Sequence, residues 1–379
     1  MKSSIPATAL ALFVTTLHAQ TWTIVHLTPA SSTNSAVTAI GGAQQAGYLT
    51  SGGSQHAAIW AGSQSSVTDL NPVFADNSEV YATTGTQQVG YASFGGSSRA
   101  ALWTDTSDSF VDLTPAGHTS GIAYATTGTR QAGYVNFAAN PHAALWSGSS
   151  TSFVDLNPSG TSSSTIFAAA GTQQAGEVLV GSSEHAAIWK GTATSFIDLN
   201  PPGAPSSRIN ATTGTQQAGY CGVGASFHAG IWTGAATSFV DLNPSGTTAS
   251  VLTDTSGTRQ VGYALYGGQY HAGIWAGTAD SFIDLHLLLT ANYTSSQALA
   301  IRTNNTGILV AGSAFNSTTS RNEAILWQFD AAPSPGPEPP PTFAIAISGK
   351  KSIHTRTTLW TIKGTVADIG GTLLRVEVK

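Results

Sequence analysis

The chain has 379 residues, of which 14 are Lys or Arg and 19 Asp or Glu, with 41 Gly, one Cys and one Met. One Cys excludes a disulfide framework and any multi-cysteine metal site. A formal charge of −5 with few basic residues argues against nucleic-acid binding, and no apolar run reaches the ~18 residues of a membrane span.

The first 19 residues read as a secretory leader. Lys2 is the basic start, Ile5 to Leu17 the mostly apolar stretch, and Ala19 the small residue before cleavage. The mature protein is therefore expected to be secreted, extracellular or at the cell surface. Without paired Cys it must be held by its core and its hydrogen bonds.

From there the chain keeps time. Trp60, Trp103, Trp146, Trp189, Trp232 and Trp275 stand 43 residues apart, and Trp327 follows after 52. Asp69, Asp112, Asp155, Asp198, Asp241 and Asp284 keep the same interval, as do the glycines of a QxG step from Gly47 to Gly262. A period near 40–45 residues indicates propeller blades or helical repeats. Within a unit, four short segments are bounded by Gly, Pro, Ser or Asn, and none offers ten residues of helical periodicity. That is one four-stranded blade.

The strands run a to d from the inside out: SxxxATT, TQQAGY, HAAIW and SFVDLNP. Seven a–b–c triplets occur, the last near 295–328. The first d-like segment, WTIVHLTP (22–29), precedes the first triplet, and none follows Trp327. The expected fold is all-β: a seven-bladed β-propeller over 20–329, closed by an N-terminal outer strand that removes exposed edges. A Pro-rich linker over 330–341 and a short β segment over 342–379 follow. That tail has six Lys or Arg against two acids and resembles the opening of an immunoglobulin-like sandwich.

The repeated HAAIW…DLNP with GTQQAGY between resembles the HAF-type extracellular repeat of bacterial proteins, over residues 22–329. Ala replaces the Phe that follows His in that family, and Asn-Pro follows Asp-Leu where the family has Gly. The resemblance implies an exported β-propeller and no established catalytic activity.

The Trp and Asp series read as structural, the Asp pairing with His56, His142, His185, His228 and His271 in a repeated network. Equivalent residues on packed sheets lie ~10 Å apart, too far to share one metal ion, so no metal and no cofactor is expected. No phosphate loop, GxSxG, HExxH or calcium loop occurs. Function is sought where the repeat varies, in the b–c and d–a loops of one face. Phe94, Phe137, Phe227, Tyr266 and Tyr270 stand in the b–c loops and suit sugar or peptide surfaces. Glu177 breaks a series otherwise occupied by Tyr48, Tyr91, Tyr134, Tyr220 and Tyr263, with Glu184 seven residues on. The expected function is a monomeric, non-catalytic binding, adhesion or scaffold module for an extracellular carbohydrate or protein. The alternative is a polysaccharide-active glycosidase or lyase, which needs unlike residues converging at one place.

Overall fold

The computed structural model describes residues 21–330 except 139 and 306, together with 362–367 and 373–378. The leader and the linker, and with them the first of the three tail strands expected, lie outside the described residues. The chain divides into two units, Met1–Pro333 and Ser334–Lys379. In the second, Ile362–Ala367 and Leu373–Val378 pair as an antiparallel hairpin.

The first unit is a seven-bladed β-propeller, as the repeat implies. Each blade is a four-stranded antiparallel sheet in sequence order, except the seventh. There the outermost strand is Trp22–His26, paired from Trp22 opposite Phe329 to His26 opposite Ile325. The ring is thus closed by hydrogen bonds between the two ends of the unit, and seven separate sheets become one cooperative body.

Both faces of a blade meet a neighbour, so both must be apolar. The seven repeat tryptophans from Trp60 to Trp327 are at most 1 % exposed. Each inserts between its own blade and the one before it; Trp146, for example, packs with Val89, Leu102 and Leu113. The Leu of each Asp-Leu step, Leu70 to Leu285, is fully buried.

Polar bonds cross the same seams. The amide of Ala143 on strand c donates to Ser164 Oγ on the next strand a, and that hydroxyl donates to Asn157 of the Asp-Leu-Asn step. The pattern recurs at Ser78, Ser207 and Ser250. On the opposite face, glutamines form a belt: Gln88 donates to Gln44, Gln131 to Gln87, Gln217 to Gln173 and Gln260 to Gln216, at 2.8–3.0 Å. Apart from Asp105, which accepts from Gln44 and Gln88, these amides meet the hydrogen-bond requirement without charge, in keeping with so low a charge content.

The glycine of the QxG step shapes the inner strand. In blade 3, Ala123 pairs with Gly133 and Ala125 with Ala132, leaving Tyr124 as a β-bulge. A Cβ on Gly133 would overlap the carbonyl oxygen of Ile122. The same overlap meets Gly47, Gly90, Gly176, Gly219, Gly262 and Gly312, and strand a shifts register at the same place in every blade. The glycine lets strand a press in, and the extra residue turns toward the axis. Replacing Gly133 by Ala should cost about 3 kcal/mol in chemical denaturation. A loss below about 1 kcal/mol would contradict the overlap.

Candidate functional site

The bulge residues meet on the axis. Thr38, Tyr81, Tyr124, Phe167, Asn210, Thr253 and Leu299, one from each blade, line the same central channel. One pleat nearer the b–c loop face stand Ala36, Glu79, Ile122, Thr165, Arg208, Val251 and Gln297. Each pairs with the inward residue of strand b: Tyr48, Tyr91, Tyr134, Glu177, Tyr220, Tyr263 and Ser313. The repeat that makes the shell uniform leaves this lining different in every blade. Around Arg208 the cavity measures about 390 Å³.

One side of the lining is a continuous aromatic wall. Tyr91 neighbours Tyr81 with ring centroids 6.1 Å apart, Tyr81 neighbours Tyr124 at 4.8 Å, and Tyr124 neighbours Phe167 at 5.1 Å. Such tilted pairs lie in the favourable range for aromatic packing. The wall ends at Arg208, whose guanidinium carbon lies 3.5 Å from the Phe167 ring centroid. At this distance the cation meets the negative face of the ring.

Two carboxyls flank the wall. Gln55 Nε2 donates to Glu79 Oε2 at 2.7 Å. Glu177 Oε2 lies 3.8 Å from Arg208 Nε, too far for a hydrogen bond, and both atoms are buried with no hydrogen-bond partner. A hydroxyl or water that accepts from Nε and donates to Oε2 would satisfy both. Burial pushes Glu79 up to about 7, against the lowering effect of hydrogen bonds from Gln55 and Tyr81. Burial likewise pushes Glu177 up to about 7, with Arg208 opposing and Glu184 adding to the rise. The Tyr124 hydroxyl is held well above its ordinary range, first by burial and then by Tyr134; it also feels Arg208, Glu79 and Glu177. Toward the other mouth, burial raises Asp254 to about 6, although Ile301 and Thr255 donate backbone N–H bonds to it. Carboxyls poised near neutrality can hold or release a proton at working pH.

The residues expected from the sequence are distributed unevenly. Glu177 stands on strand b opposite Thr165 and 3.8 Å from Arg208 Nε, and the exposed Glu184 reaches it through its field. Phe227 and Tyr270 are about half exposed and make edge contacts with Tyr220 and Tyr263 at 4.8 and 5.0 Å. Phe94 packs on Phe110, Phe137 on His118, His142 and Phe153, and Tyr266 on His271 and Phe282. These last three belong to their own blades' outer packing and form no common surface. Glu79 and Arg208 were not singled out from the sequence. Their signal lies in strand a, where the positions in phase with 79 read Ala, Glu, Ile, Thr, Arg, Val and Gln.

The Asp series lies away from the axis. His56, His142, His185, His228 and His271 place Nδ1 2.6–3.0 Å from Oδ2 of Asp69, Asp155, Asp198, Asp241 and Asp284. The other carboxylate oxygen accepts the amide two residues on, as in Asn71 to Asp69. Arg99 takes the place of His beside Asp112. In blade 6 the Asn of the Asp-Leu-Asn step becomes His286, whose Nδ1 lies 2.9 Å from Ser296 Oγ. This is no exposed nucleophile: Ser296 is 2 % exposed, and its Oγ accepts the Ala272 amide as its counterparts do in other blades. Among the described residues no group of three or more His, Cys, Asp or Glu is placed to hold a metal ion.

No family model matches the chain, and no curated protein matches it. Solved structures do. A puromycin hydrolase aligns with a TM-score of 0.55 and 10 % identity, over 93 % of this chain and 60 % of that one. Pyrococcus horikoshii acylaminoacyl peptidase aligns at 0.51 and 8 % identity, over 79 % of this chain and 53 % of its own. The β-propeller domain of the Trilobed protease from Pyrococcus furiosus aligns at 0.50 and 8 %, over 78 % and 94 %. The propeller fold is shown by these likenesses. The chain spans about three fifths of the length of the hydrolase it matches.

These findings correct the expected function. A non-catalytic binding, adhesion or scaffold role has no support among propellers that belong to a hydrolase and to peptidases. A polysaccharide-active enzyme has none among them either. The loop aromatics that suggested such roles are also, in three of five cases, packed into their own blades.

The raised carboxyls carry a sign for stability. A carboxyl whose folded value exceeds its unfolded value near 4.5 binds more protons folded than unfolded. Stability therefore falls as pH rises from 4.5 through about 7. The melting temperature should decline across this window, and Glu79→Gln with Glu177→Gln should flatten the decline. An unchanged slope in the double variant would show that other groups set it.

Proposed function

We propose that the central channel is a substrate route for peptides or peptide-like amides and that the protein serves their hydrolysis. The observation that carries this reading is the broken symmetry of the lining. Of seven equivalent bulges, Tyr81, Tyr124 and Phe167 present an aromatic wall flanked by Glu79, Glu177 and Arg208, while the shell around them repeats. Charged groups on inner strands cost desolvation free energy, and Ala36, Ile122 and Val251 fill equivalent places without them. Support also comes from the unpartnered Glu177 Oε2 and Arg208 Nε, an acceptor and a donor 3.8 Å apart. Groups that both accept and donate, such as those of an amide-bearing chain and its bound water, suit that pair. The substrate class follows from the hydrolase and peptidases whose propellers this one resembles in fold. The HAF-like repeat and the leader-like N-terminus support an extracytoplasmic site of action.

Calorimetric titration with short peptides tests the route. Tyr124→Ala should weaken binding about 10-fold, and Phe94→Ala should leave it unchanged. New amino termini should appear on incubation, more slowly with Tyr124→Ala. Equal affinities in the two variants would overturn the channel, and the absence of cleavage would overturn the hydrolytic role.

A further inference from the structure

The channel selects for charge, and this inference rests on the channel being the ligand route. At one end of the aromatic wall the protein has installed its own cation. Arg208 lies over Phe167 with the Glu177 carboxylate 3.8 Å from its Nε. At the other end the same two elements recur, an aromatic face and a carboxyl. Glu79 stands beside Tyr81, and Tyr81 leans on Tyr124 at 4.8 Å. Here the hydrogen-bond partners are Gln55 and Tyr81, both neutral. The cavity around Glu79 is lined also by Tyr48 and Tyr270, and among the described residues no Lys or Arg lines it.

We infer that the cavity bounded by Glu79, Tyr48 and Tyr270 takes an alkylammonium or guanidinium group, so that the channel prefers peptides carrying a basic side chain.

Two further points favour a cation over an anion. The Glu177 carboxylate, 3.8 Å from Arg208 Nε, offsets the guanidinium charge beside the Phe167 ring, and Glu184 adds negative potential on that side. An arriving carboxylate would meet both acids. A cation beside Tyr48 and Tyr270 gains the ring quadrupoles and restores a counter-charge to Glu79 in a partly enclosed site. The carboxyl is not a requirement of the fold, because the equivalent places in blades 1, 3 and 6 hold Ala36, Ile122 and Val251.

Calorimetry on the full chain at neutral pH tests this with three probes: a lysine-containing tripeptide, the same peptide with norleucine, and agmatine. The wild type should bind the lysine peptide at least about 10-fold more tightly than the norleucine peptide, a difference expected for a desolvated cation–π and ion-pair site. In Glu79→Gln, which retains side-chain volume, the preference should fall below about 2-fold. The wild-type comparison needs no variant, so it stands even if Glu79→Gln folds poorly. Equal binding of the two peptides would overturn the charge slot and leave the peptide channel standing. Agmatine binding that depends on Glu79, with neither peptide bound, would uphold the slot and overturn the peptide route. Failure of all three to bind would overturn both.

Discussion

One steric fact organises this molecule: strand b carries a glycine where strand a must press against it. Any Cβ there would collide with the carbonyl of the neighbouring strand. Because the glycine permits contact, strand a can hold one residue more than strand b opposite it. That residue leaves the pairing and turns inward. Repeated around the ring, the device produces a circle of side chains on the axis whose identity the fold leaves free. A regular alternating strand would present residues already committed to packing between blades.

The molecule thus separates two tasks. The shell is held by groups that recur: a Trp and a Leu buried between blades, a Ser linking strand c to the next Asn, glutamines bonded across seams, and His–Asp pairs at the outer strands. Few of these are charged and none is unique. The axis carries what does not recur. Tyr81, Tyr124 and Phe167 give a wall, and Glu79, Glu177 and Arg208 give it charge. Burial holds both carboxyls near neutrality, so that a small change of environment decides their charge. The stability lost by burying them marks the place where the chain departs from its own repeat.

Much of this was legible in the sequence. The period, the strand order and the need for Trp22–His26 to complete the last blade follow from spacing and from the cost of open edges. The glycine could be read as a site of close approach. Its consequence could not, because a bulge interrupts the alternation that tells inward from outward residues. Tyr124 and its equivalents therefore looked like ordinary members of an inner strand. Glu177 stood out because it replaces Tyr in a regular series. Glu79 and Arg208 sit in a series where every blade differs, so no single substitution announces itself. Loop variation drew attention to Phe94, Phe137 and Tyr266, which pack on their own blades. Phe227 meets the inner strands through Tyr220, whereas Tyr270 touches Tyr263 and itself lines the cavity around Glu79.

Labelling on the axis tests directly whether peptides bind there. The native Cys221 is buried, so a thiol placed elsewhere can be labelled selectively. A bulky maleimide attached at Phe167→Cys should abolish peptide binding, while the same label at Phe94→Cys should leave it intact. Peptide binding that survives the label at position 167, or is lost with the label at position 94, would place the ligand away from the axis.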